Sequence, residues 1–161
     1  MATKTDFTEQ EWAAVTDAPQ MAGIAVMVAG ASGVIGSIKE AAAAASTVFA
    51  GTTHANEFIR LISSKEEMQA SQGRIRTAMG NFGDKDPNVW VREQTIATLQ
   101  RANAILKSKA VAELGVYHEW VLTIAEKVAN AATEGGFLGL GGVRVSEEEQ
   151  KMIAAIKAAL T

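Results

Sequence analysis

Two stretches of this chain spell the same eight-position phrase, and each leads into an alanine-rich run. Gly33-Val34-Ile35-Gly36-Ser37-Ile38-Lys39-Glu40 returns 109 positions later, counting from Gly33 to Gly142, as Gly142-Val143-Arg144-Val145-Ser146-Glu147-Glu148-Glu149. Both read Gly-Val-x-x-Ser-x-x-Glu. A Ser followed three residues later by Glu is a capping box: the hydroxyl accepts from a backbone N–H of the first turn, and the carboxylate accepts from the N–H of the cap itself. Ser37 with Glu40 and Ser146 with Glu149 are therefore expected to start helices, with the glycine-rich residues before them acting as connectors. That predicts two pseudo-repeated helix–loop–helix units, one near each end.

Elsewhere the apolar residues recur at helical intervals. Thr8-Glu9-Gln10-Glu11 is a further capping box, with Phe7 placed to staple the first turn. Trp12 and Val15 follow, and Pro19 predicts a break or kink before a second helix that runs to about Ala29. Ser37 predicts a helix through Phe49, ended by Gly51-Thr52-Thr53. Phe58, Leu61 and Ile62 share one helical face, and Ser64 with Glu67 opens a helix carrying Met68, Ile75 and Met79. After a polar turn, Pro87 suits the first position of a helix with Trp90, Val91, Ile96, Leu99, Ile105 and Leu106. Gly115 is expected to divide it from one carrying Val116, Trp120, Val121, Ile124 and Val128, and Met152, Ile153, Ile156 and Leu160 mark the last. Only Ile24–Ala29 and Gly141–Val145 admit an extended chain. The expected fold is all-α, a compact bundle of about seven helices forming a single domain over residues 1–161.

With 161 residues the chain can bury a core unaided, and without cysteine it has neither disulfides nor thiolate metal sites. A net charge of −3 supplies no general attraction to nucleic acid. The charge is uneven. Residues 60–109 hold nine basic groups against five acidic ones, while both flanks are acidic. Arg60, Lys65, Arg74, Arg76, Lys85, Arg92, Arg101, Lys107 and Lys109 thus offer either a solvated face or a dock for an acidic partner or phosphates. From Ala18 to Ile38 runs a charge-free stretch of 21 residues, long enough to span a bilayer. Four glycines and three polar residues dilute it, and no basic flank precedes it, so a buried helix and loop is the expected reading. Membrane contact through residues 18–38 is the alternative. Met1–Asp17 is polar and acidic, unlike a secretory signal, which leads to a cytoplasmic expectation.

Chemistry is harder to find. Ala25-Val26-Met27-Val28-Ala29-Gly30-Ala31-Ser32-Gly33-Val34-Ile35-Gly36 resembles the opening of a short-chain dehydrogenase or epimerase. There, an apolar strand meets a turn whose glycines (here Gly30, Gly33 and Gly36) let the backbone approach a pyrophosphate. The remaining parts are missing. No acidic ribose ligand on a second strand follows about 20 residues on. The single tyrosine, Tyr117, is followed four positions later by Val121, not lysine. His54 and His118 are the two histidines, and neither belongs to the Glu-x-x-His pair of a di-iron bundle. His118 and Glu119 are helix neighbours that face apart. His54 is expected near a helix start and solvated. No serine and histidine stand in triad-like spacing. Glu147-Glu148-Glu149 suits a helix N-terminus electrostatically; as a divalent-cation site it lacks a carboxylate in the preceding loop. The expectation is a protein without catalytic residues, cofactor or metal.

Phe137, Leu138 and Leu140, in the second glycine-rich segment, are the candidate contact residues for a protein partner or self-association. An exposed apolar loop marks an interaction site; the bland reading packs it inward.

The repeated unit resembles the tellurite-resistance TerB family, whose helical domains have two helix–loop–helix units. Each has an apolar helix, an Ala-Asp-Gly-x-(Ile/Val)-type loop, and a helix begun by Ser or Asp with Glu a few residues in. Ala29–Glu40 is similar to the first loop and Gly141–Glu149 to the second. The family's loop aspartate is Ser32 in the first copy and Gly141 in the second, which removes acids from the surface proposed there to bind divalent metal. The resemblance implies a compact helical fold and a role in protein or membrane-associated assemblies under stress; it does not imply enzymatic activity.

Overall fold

The computed structural model describes residues 1–30, 50–81, 83–133 and 145–161. Six α-helices form there: α1 (Glu9–Gly30), α2 (Glu57–Ile62), α3 (Lys65–Met79), α4 (Pro87–Lys109), α5 (Leu114–Thr133) and α6 (Glu147–Ala159). Three single-turn 3-10 segments accompany them, Lys4–Asp6 before α1, Gly51–Thr53 before α2 and Val111–Glu113 between α4 and α5. Among the described residues there is no strand. The all-α expectation holds. The helix predicted from Ser37 to Phe49, with its cap Ser37–Glu40, lies outside the described residues.

Helix α1 is the hub. Its start is fixed by the predicted box: Thr8 N–H donates to Glu11 Oε2 at 2.7 Å, and Glu11 N–H donates to Thr8 Oγ1 at 3.3 Å. Phe7, one residue before the cap, packs on Trp12 with ring centroids 5.5 Å apart, and Phe58 of α2 completes the cluster. That is the hydrophobic staple, which sets the angle at which the chain enters the helix. Beyond it Val15, Ala18, Ala22, Ala25 and Val26 are buried against the other helices. Small residues at these positions let neighbouring backbones come close.

Of the break or kink predicted at Pro19, the break is absent, since α1 runs through it as one helix of 22 residues. Proline has no N–H, so the carbonyl four residues earlier, Val15 C=O, loses its helical donor. Tyr117 of α5 supplies a replacement, its hydroxyl donating to Val15 O at 2.9 Å. The ring is fully buried. Burial, reinforced by Asp17, pushes the phenol pKa well above its ordinary value of 10.0. The tertiary contact fills the gap that the sequence rule identifies.

Two further boundaries differ from expectation. Ile24–Ala29, which admitted an extended chain, is the last part of α1. Division of the fourth and fifth helices falls at Ala110, with φ −144° and ψ 47°, and at the 3-10 turn after it. Gly115 sits in the first turn of α5 instead. Helix propensity is a weak prior there: one glycine costs about 1 kcal/mol, which packing of the following apolar face offsets.

Cross-links fix the directions. Lys109 Nζ donates to Glu11 Oε2 at 2.6 Å, and Thr95 Oγ1 donates to Met21 O at 3.3 Å, so α4 runs antiparallel to α1. Lys107 Nζ donates to Thr161 O at 2.7 Å, while Arg92 and Glu148 line one groove, so α6 runs alongside α4 in the same sense. Arg74 of α3 clamps α1: Nε reaches both Asp17 oxygens, at 3.2 and 3.1 Å, and Nη2 reaches Asp17 Oδ1 at 2.6 Å. By length and composition α1 is the one described helix able to cross a membrane, but 56% of its most apolar window is buried inside the bundle.

Candidate functional site

The end of α1 meets the starts of α4 and α6. Each start is built by local chemistry. Asp86 caps α4, accepting from Asn88 N–H at 2.8 Å and Val89 N–H at 3.2 Å, and Pro87 takes the first helical position as expected. Ser146 caps α6 in the predicted box: Glu149 N–H donates to Ser146 Oγ at 3.2 Å, and Ser146 N–H donates to Glu149 Oε2 at 2.7 Å. Glu149 is nearly buried. Its other oxygen lies against the end of α1, where a Cβ on Gly30 would stand 2.5 Å from Glu149 Oε1. Only glycine fits that approach without displacing the cap. The last residue of α1 and the Ser146–Glu149 cap of α6 are therefore neighbours.

Beside this contact the three helix ends enclose an open groove of about 260 Å³. Ala25, Val28 and Ala29 of α1 form one side, Asn88, Val89 and Arg92 of α4 the second, and Glu148, Lys151 and Met152 of α6 the third. Lys151 Nζ donates to Glu148 Oε1 at 2.6 Å. This hydrogen bond and its charge hold the Glu148 carboxyl below its usual range, with a smaller effect from Arg92, and raise Lys151 in turn. Arg92 makes no ion pair or hydrogen bond among the described residues.

Phe137, Leu138 and Leu140, the expected partner contacts, lie outside the described residues, as do Gly33, Gly36, Ser37 and Glu40. The segment that carries the first three rejoins the described chain at Val145, next to the Ser146 cap. Gly30 is the last residue of a helix, and the stretch before it, where the dinucleotide reading needs a strand, is helical throughout. Tyr117 is committed to Val15 O.

The basic third of the sequence is largely committed to internal ties. Arg74 binds Asp17, Lys109 binds Glu11, Lys85 binds Glu93, Lys107 holds Thr161 O, and Arg60 donates to His54 O and Ala55 O. Lys65, Arg76, Arg92 and Arg101 remain without such ties among the described residues. His54 differs from its expected solvated state. Half-buried, it meets Trp120 edge-on at 5.5 Å, and its Nδ1 accepts from Asn56 N–H at 3.1 Å. His118 pairs its Nε2 with Asn103 Oδ1 at 2.9 Å, while burial and Lys107 hold its pKa below the usual value. In the Glu147–Glu149 run, Glu149 serves the cap and Glu148 serves Lys151. Among the described residues no cluster of three or more His, Cys, Asp or Glu stands ready for a metal.

Sequence reasoning missed Val89, which is 52% exposed on the lip of the groove, and the Asn56–Glu113 hydrogen bond of 3.1 Å that ties α2 to the turn before α5. Val89 sits out of phase with Val91 and Leu99, a visible sign that it faces away from the core. No local signal marks Asn56–Glu113, whose partners are 57 residues apart. No protein-family model matches this chain, and neither a curated protein nor a solved structure is significantly similar to it.

Proposed function

We propose that this protein is a non-catalytic helical module that binds a protein partner or a second copy of itself, with Phe137, Leu138 and Leu140 as its contact residues. The carrying observation is the open groove where α1, α4 and α6 end. It is apolar at its base, charged at its rim, and next to the point where the Phe137–Leu140 segment rejoins the fold. An open groove with an apolar floor and a charged rim can seat an anchoring side chain of a partner. The dinucleotide alternative lacks the strand that its glycines require.

The finer architecture belongs to the same proposal. Two pseudo-repeated units, giving about seven helices in all, would bring both Gly-Val-x-x-Ser-x-x-Glu segments to one end of the bundle. The contact of Gly30 with Glu149 supports that arrangement, since it joins the entry of the first unit to the cap of the second. The TerB-like resemblance and a cytoplasmic, stress-associated role form part of this reading.

The test compares proteins captured from cells by the wild type and by the Phe137→Ala, Leu138→Ala double variant, both verified as folded. Specific loss of a partner, or of self-association, is expected. Retention of every partner by the variant removes these residues from the reading. Saturable binding of NADH or NADPH would replace it with the dinucleotide alternative.

A further inference from the structure

We infer that the groove between the ends of α1, α4 and α6 docks a protein segment in which an apolar side chain is closely followed by a carboxylate. The apolar side chain seats on the half-buried Val28 and Ala29, over the buried Ala25, and the carboxylate pairs with Arg92. This inference rests on the binding-module reading and names the chemistry of the partner.

Size comes first. The groove's volume of about 260 Å³ falls below the roughly 300–1,000 Å³ of small-molecule and cofactor pockets. It suits one or two large side chains. Alanines at 25 and 29, one helical turn apart, leave the hollow, and Val28 and Met152 give it apolar walls. Val89, a large apolar residue exposed on the lip, extends the surface that a partner would cover.

Charge then selects the partner. Lys151 donates to Glu148 at 2.6 Å, whereas Arg92 has no ion pair or hydrogen bond among the described residues. Arg92 is therefore the cation on the rim that a partner's carboxylate would meet. A guanidinium offers two parallel donors that match a carboxylate, so an acidic residue beside the anchor is favoured and a basic one is repelled. Helix-in-groove recognition works this way, with the anchor giving affinity and the neighbouring charge giving choice.

Selection from a displayed library of random peptides tests this, using the wild type, Arg92→Glu, and Arg101→Glu as a charge-matched control on the same helix. Circular dichroism checks that each is folded. The wild type and Arg101→Glu should enrich peptides pairing Leu, Ile, Phe or Met with a nearby Asp or Glu. On Arg92→Glu that acidic preference should vanish, and the best wild-type peptide should bind about five- to tenfold more weakly. Absence of enrichment over the unselected library, or enrichment that survives Arg92→Glu, overturns the assignment. So does Arg92-dependent binding to phosphatidylglycerol vesicles without peptide enrichment, which would give the groove to a membrane surface. If Arg92→Glu changes nothing while the Phe137→Ala, Leu138→Ala variant still releases its partner, the groove assignment fails and the binding-module reading stands.

Discussion

Replacing Tyr117 by Phe should destabilise the protein through a single oxygen atom. The ring stays and its packing is kept, but the 2.9 Å hydrogen bond to Val15 O is lost. In an ordinary helix that carbonyl would keep the N–H four residues on; here residue 19 is proline and has none. Burial at Tyr117 is complete, so water cannot substitute. An unsatisfied buried carbonyl costs about 1–3 kcal/mol. For a chain of this length, 2 kcal/mol lowers Tm by about 4–8 °C. Thermal and urea unfolding followed by circular dichroism measure both quantities. Pro19→Ala sharpens the test by restoring the missing donor. In that background Tyr117→Phe should cost far less, with a coupling of about 1–2 kcal/mol in the double-mutant cycle. A Tyr117→Phe loss below about 0.5 kcal/mol, or the same loss with and without Pro19, refutes the reasoning, since it would show the hydroxyl contributing no more than an ordinary surface substitution.

Titration of the same tyrosine gives an alkaline signature. Its folded pKa is raised, so stability is level below pH 10.0 and falls above it as the unfolded chain alone loses its proton; Tyr117→Phe should flatten that limb in pH-dependent urea melts. His118 acts at the other end. Its folded pKa is lowered from 6.5, so the unfolded state takes up the proton first and stability falls as pH drops below that value, a slope that His118→Gln should reduce. Gly30→Ala places a Cβ 2.5 Å from Glu149 Oε1 and should cost about 1–3 kcal/mol in unfolding free energy, against about 1 kcal/mol for Ser146→Ala, which removes only the cap. At Gly51 a Cβ would stand 2.8 Å from Trp120 Cζ2 and closer still to Ser63, so Gly51→Ala should lower the chemical midpoint by a similar amount.

Local signals were legible wherever the chemistry is local. The boxes at Thr8–Glu11 and Ser146–Glu149, the Ser64 cap, Pro87 at a helix start and the Phe7 staple all stand where the spacing puts them. The box pattern misled in one respect at Ser64: the Glu67 carboxylate turns to Lys4 instead of back to its own cap. Failures came where a distant partner decides. Pro19 breaks a helix in isolation, and Tyr117, 102 residues from Val15, removes the reason to break. Periodicity identified Val121, Ile124 and Val128 but passed over Tyr117, Thr95 and Asn103, because polar atoms at core positions are tolerated only when a partner is present. The basic third read as a surface feature, yet three of its nine cations, Arg74, Lys107 and Lys109, tie distant elements together, a pairing set by the tertiary fold. The groove was invisible for the same reason: its three sides come from residues more than 50 positions apart.

Backbone Cα chemical shifts of residues 9–30 provide the most direct measurement of the central claim, that one unbroken helix passes through Pro19 and ends at Gly30. Helical shifts on both sides of the proline and continuing through Ala29 are the predicted result. Extended-chain shifts between Ile24 and Gly30 would contradict it, restoring the strand on which a nucleotide-binding turn depends and removing both the groove and the reading built on it.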